Sequence, residues 1–254
     1  MKQTLKMRGK INEASRLINE KDKGKVFDPN SEVDPTGKTV FDVLTKKHPP
    51  PIVPDVEMFT LPPNLSNLPE LEMIDITSKH VEKVARSLHG SSGLLGGSSD
   101  QWTDFLLRHG KKSERLRNVV AELTMKLNNS LVPCDEISAL MASRLISIDK
   151  CPGVRPIGIG ECLRRILAKC VILASGEDVT QVCGLDQLCG GLKAGIEGAV
   201  HFMEKKFSDN CRQDSKWGLL LVDADNAFNK INRFLALWHA RIYWPRSAKF
   251  LFNT

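Results

Sequence analysis

The chain has 254 residues, 41% of them hydrophobic and 26% charged, with a net charge of +6 at neutral pH. That is enough chain and enough apolar surface for one large domain or two small ones built around real cores. Seven cysteines without a CxxC pair, no apolar run near the length of a bilayer span, and the polar, basic start MKQTLKMRGK exclude a zinc ribbon, a membrane helix and a secretory signal. They point to an intracellular protein with reduced thiols.

Residues 6–19 read as a short helix with Met7, Ile11, Ala14, Leu17 and Ile18 on one side. A second helix fits Val40 to Lys47, ended by Pro49, Pro50 and Pro51. Seven of the 13 prolines lie between 49 and 69, so residues 49–72 read as an extended or disordered linker after an N-terminal region, 1–48. The compact part, 73–254, opens with a helix capped at Thr77 or Ser78 and ended by Gly90. The next stretch, GSSGLLGGSS, has eight Gly or Ser in ten positions and reads as a mobile loop. Helices fit 100–109, 114–128 and 135–143.

At Arg144 the period changes. RLISIDK alternates as a half-buried strand does, CPG is a turn, and VRPIGI can return as a second strand with Pro156 on an edge. ECLRRILAKCVILA follows as an amphipathic helix with Arg164, Arg165 and Lys169 on its polar side. A helix fits 195–206, a strand fits 217–222, and a long amphipathic helix starts near Asn226. The fold class expected is α+β.

Between Gln101 and Cys170 there are 12 Lys plus Arg against 7 Asp plus Glu, so most of the positive surplus sits in a folded stretch. Such a block suits nucleic acid, although a solvated helix face gives the same count. Lys150 and Arg155 flank the hairpin tip, where two cations can grip a triphosphate or be ordinary surface charge. Asp223 follows the aliphatic run LLLV. It is either a strand end next to a helix capped by Asp225 or Asn226, or a rigidly held carboxylate ligand for magnesium.

LLLVDADNAF resembles the first carboxylate motif of reverse transcriptases. DKCPGVRPIGIGECLRRILAKCV is similar to the fingers motif before it, and GLDQLCGGLKAGIEGAVHFM to the intervening segment of non-LTR retrotransposon-type enzymes. GSSGLLGG stands where that family has a Gly-rich stretch, so the resemblance runs over about residues 90 to 233. It implies the fingers and the start of the palm of a right-hand polymerase, with a β-hairpin and a truncated palm sheet. Asp223 would bind catalytic Mg2+, with the backbone carbonyl of Ala224 beside it. Phe228 would lie under the incoming sugar and select deoxynucleotides, Lys150 and Arg155 would hold the triphosphate, and Gly191, Leu192 and Lys193 would touch the template. Template, primer and deoxynucleoside triphosphates are the partners implied.

The family also uses a later pair of adjacent acids, and residues 226–254 contain no Asp or Glu. The expectation is a polymerase fragment, lacking the rest of the palm and the thumb and inactive alone. A nucleic-acid-binding remnant without catalysis and a decayed reading frame are the alternatives.

Overall fold

Thr39 starts the first observed helix by a reciprocal lock. Its hydroxyl accepts from the Asp42 amide at 3.2 Å, and the Asp42 carboxylate accepts from the Thr39 amide at 2.9 Å. The helix, α1, covers Val40–Lys47, as its apolar spacing predicts. This computed structural model describes residues 26–33, 37–149, 153–184, 187–188, 194–211, 216–224 and 227–254. The helix expected at 6–19 lies outside them. The chain forms two compact units, one from Met1–Pro50 with Ser143–Gly160, the other from Pro51–Ala142 with Glu161–Thr254.

In the first unit α1 packs against an antiparallel hairpin, β1 (Ser143–Asp149) and β2 (Val154–Gly160). Val40, Leu44 and Val154 are buried there, with Phe27, Val33 and Val43 against them. The register sets Ser147 opposite Pro156. Ser147 turns its carbonyl away from β2, to the Phe27 amide at 3.0 Å, so this is a non-hydrogen-bonded pair. The N–H that Pro156 lacks would therefore have pointed out of the ladder, which is why the strand tolerates it. Lys47 Nζ donates to the Val154 carbonyl at 2.6 Å and fixes α1 on the outer edge of β2. Thr39→Ala removes the hydroxyl's bonds from the Asp42 amide and to the Asp42 carboxylate but keeps the one from the Thr39 backbone amide. It should destabilise this unit by about 1 kcal/mol, read as accelerated amide exchange across α1. The Thr39 bonds also hold the Asp42 carboxyl below its usual value. A depressed carboxylate stabilises above its unfolded pKa, and this contribution fades as pH falls through the folded value, so the gap between wild type and variant should narrow in acid without closing, because the bond from the Asp42 amide to the hydroxyl does not titrate.

The second unit is helical: α2 (Ser78–Arg86), α3 (Ser99–Leu107), α4 (Lys111–Asn129), α5 (Cys134–Met141), α6 (Cys162–Cys183), α7 (Gly195–Asn210), α8 (Ala227–Lys230), α9 (Arg233–Tyr243) and α10 (Ala248–Asn253). Val81 and Val84 of α2, Leu106 of α3, Val120 and Leu127 of α4 and Ile166, Leu167 and Cys170 of α6 interlock in one core, joined by Phe250 of α10. Asn253 ties α10 to the end of α4: its Nδ2 donates to the Leu127 and Ser130 carbonyls, both at 2.7 Å, and its Oδ1 accepts from the Val132 amide at 3.1 Å. Lys249 Nζ adds a bond to the Asn129 carbonyl at 2.8 Å.

The fold is thus α+β and helix-rich with a two-stranded antiparallel sheet. Three segments differ from expectation. Residues 216–224 are extended but form no strand, because among the described residues no neighbouring strand offers them a ladder. Leu220, Leu221 and Val222 are 82–84% exposed. The long helix near Asn226 is two helices, since the Asn232 side chain accepts from the Leu235 amide at 3.2 Å and starts a fresh N-terminus at α9. The stretch 51–72 is largely irregular but anchored: Asn232 Nδ2 donates to the Ile52 carbonyl at 2.8 Å and Trp238 Nε1 to the Thr60 carbonyl at 3.0 Å. The Phe59 ring meets Trp238 edge-on, centroids 5.8 Å apart.

Candidate nucleic-acid interface

Asp223 and Ala224 lie on the exposed extended segment after the aliphatic run. Phe228, the second residue of the next helix, is 93% exposed. Among the described residues no group of three or more His, Cys, Asp or Glu comes together around Asp223 or elsewhere. The Asp223 carboxylate is exposed to solvent, and a magnesium ion there would need further oxygen ligands from beyond this one side chain. Arg155 is exposed on β2, opposite Ile148, and belongs to the first compact unit. Lys150, Gly191, Leu192, Lys193 and Asp225 lie outside the described residues.

The aliphatic run has a neighbour on its own unit. Phe202, Met203 and Phe207 of α7 and Trp217 and Leu219 line a groove of about 240 Å³. None of the described α7 side chains is buried.

The Gly-rich stretch is tied down rather than free. Glu161, only 5% exposed, precedes α6 and accepts from the Leu95 amide at 2.8 Å. Arg165, one turn on, donates to the His89 carbonyl at 3.1 Å, to the Ser91 carbonyl at 2.5 Å and to Cys162 Sγ at 2.8 Å. Ser99 Oγ closes the loop onto the Gly90 carbonyl at 2.8 Å. The glycines make this approach possible: a Cβ on Gly93 would sit 2.5 Å from Glu161 Oε1 and 2.9 Å from its Cα. Leu94 and Leu95 are left exposed at the tip. Composition predicted a mobile loop because it lists Gly and Ser without their partners 66 to 76 residues away.

These bonds divide the basic block in two. Arg164, expected with Arg165 on a solvated polar face, instead donates to the Met141 carbonyl at 3.3 Å and the Thr254 carbonyl at 2.8 Å. Arg117 donates to the Leu106 carbonyl at 2.6 Å, satisfying a carbonyl at the end of α3. These three arginines hold the fold together. Lys111, Lys112, Arg115 and Lys126 of the second unit are exposed and remain for a ligand, as do Arg144 and Arg155 on the first unit's hairpin. Sequence reasoning missed Glu161 and Asn253 because each bonds backbone far away in the chain. The one local hint was the density of glycine before α3, which signals a close approach without naming its partner.

Burial pushes the Cys170 thiol up to about 12, so it is a core side chain rather than a nucleophile. No family model matches this chain, and neither a curated protein nor a solved structure matches it.

Proposed function

We propose that the chain is a reverse-transcriptase-like fingers segment with the first palm motif, which holds nucleic acid and does not polymerise by itself. The observation that supports it best is the β1–β2 hairpin with Pro156 on an outward-facing position, running straight into α6. That is the order required of the fingers motif that DKCPGVRPIGIGECLRRILAKCV resembles. The exposed cations Lys111, Lys112, Arg115, Arg144 and Arg155 favour a polyanionic partner.

Catalysis is a separate matter. Phosphoryl transfer depends on positioning and on charge neutralisation, and both need more than one carboxylate. Asp223 is exposed, and residues 226–254 contain no Asp or Glu to serve as the later acid pair, so polymerisation should not occur on this chain alone. Primer extension with Mg2+ on RNA and DNA templates should give no incorporation. Incorporation that disappears in Asp223→Asn would overturn this part. Binding to a primer–template should appear at low salt and fall steeply as salt rises. No electrophoretic shift at low salt would overturn the nucleic-acid part.

A further inference from the structure

The turn between α3 and α4 is rigid and unusually cationic. Gly110 takes φ +52°, and the buried Ser113 hydroxyl accepts from the His109 amide at 2.8 Å while donating to the Phe105 carbonyl at 2.7 Å. Around this turn stand Arg108, Lys111, Lys112 and Arg115. The acids nearby are Asp104, which pairs with Arg108 at 3.0 Å, and Glu114. Lys111, Lys112 and Arg115 pair with no carboxylate among the described residues. Two of them occupy the first turn of α4, where the helix dipole disfavours cations. The fold gains nothing from that placement, so an anion outside the fold accounts for it better. Beside the cations, Phe105 is 52% exposed, with its ring 6.5 Å from that of His109 and tilted 36° to it.

We propose that this turn is a binding surface for single-stranded nucleic acid, distinct from the hairpin and from Asp223. Lys111, Lys112 and Arg115 take the phosphates, and an unpaired base stacks on Phe105. Cations alone would suit any polyanion; the exposed ring set among them selects a strand with free base faces. An acidic polypeptide offers carboxylates but no flat face to cover Phe105. The inference rests on the nucleic-acid part of the reading above and assigns it to a place.

The test uses the full chain and a fluorescent oligothymidylate of about 12 nucleotides, within the span of single-strand sites. The triple variant Lys111→Glu, Lys112→Glu, Arg115→Glu should bind at least about tenfold more weakly at low salt. Its slope of log affinity against log salt should be shallower by about 2, the share of three single-strand phosphates. Phe105→Ala should weaken binding about fivefold or more while leaving that slope unchanged, a signature that general loss of charge does not give. Lys205→Glu, at an exposed cation of α7, should bind as wild type does. Circular dichroism keeps misfolded variants out of the comparison, since all these side chains are exposed. If the triple variant binds as tightly as wild type, the turn is not the site, although the chain still binds nucleic acid. If poly-glutamate competes as well as the oligonucleotide, the partner is an acidic polypeptide and the inference fails. If wild type binds no oligonucleotide at low salt, this inference and the nucleic-acid reading beneath it fail together.

Discussion

Asn253→Ala should lower stability by about 3–5 kcal/mol, although it deletes only a few atoms at the next-to-last residue of the sequence. Asn253 is 8% exposed and serves three backbone groups at once, the carbonyls of Leu127 and Ser130 and the amide of Val132. These are groups that a helix leaves unpaired where it ends, here at the C-terminus of α4 and in the chain just after it. Alanine would strand them in a site too enclosed for water to replace all three bonds, and each unpaired buried group costs about 1–3 kcal/mol. The loss also frees α10, whose Phe250 sits in the core. With a urea slope of about 2 kcal/mol per molar, the midpoint should fall by about 2 M. Asn253→Asp should be no better, because it keeps the acceptor for Val132 and turns a carboxylate oxygen toward two carbonyls. Asn210→Ala removes an exposed bond to the Lys206 carbonyl and should change stability by less than about 0.5 kcal/mol. A drop below about 1 kcal/mol for Asn253→Ala would mean that α10 is not locked as the geometry indicates.

The contrast between those two asparagines explains what the sequence made legible. Helix α1 was readable to the residue because its cap, its apolar pair Val40 and Leu44, and its terminating prolines all lie within a dozen positions. The hairpin was readable for the same reason: alternation and a CPG turn are local signals, and Pro156 fitted once the pairing parity was known. The apolar segment 217–222 reads as a strand, yet it forms none. Strand propensity is fit to a ladder, and a ladder needs a partner that composition does not supply. Arg164 and Arg165 mislead in the opposite direction. Helical spacing put them on a polar face, but whether a guanidinium meets solvent or a carbonyl depends on a loop and a terminus more than 70 residues away. The candidate site shares that limit. Its residues are nameable from motif order, whereas the division of the basic block into structural and free cations is a tertiary fact.

Gly93→Ala should be the second costly change, at about 2–4 kcal/mol. An ideal Cβ at this position lies 2.5 Å from Glu161 Oε1, 2.7 Å from its Cδ and 2.9 Å from its Cα. The carboxylate could swing away, but only by giving up the bond from the Leu95 amide and re-exposing a side chain that is 5% exposed. The Cα cannot swing, because Glu161 is the residue from which α6 starts, and Ile166 and Leu167 just beyond it are buried in the core. The backbone of the loop must therefore retreat, and the Arg165 bonds to the His89 and Ser91 carbonyls loosen with it. A double-mutant cycle separates the two contributions. Glu161→Ala alone loses the Leu95 bond and should cost about 1–2 kcal/mol. In the presence of Glu161→Ala, the Gly93→Ala change should cost at least about 1 kcal/mol less, since the side-chain clash is gone, yet still more than zero, since the Cα remains. Gly198→Ala, in α7 with open space around the site, should instead be neutral or stabilising by up to about 1 kcal/mol. Strict additivity at 93 and 161 would show that the loop does not rest on Glu161, and the Gly-rich stretch would then be as free as its composition suggests.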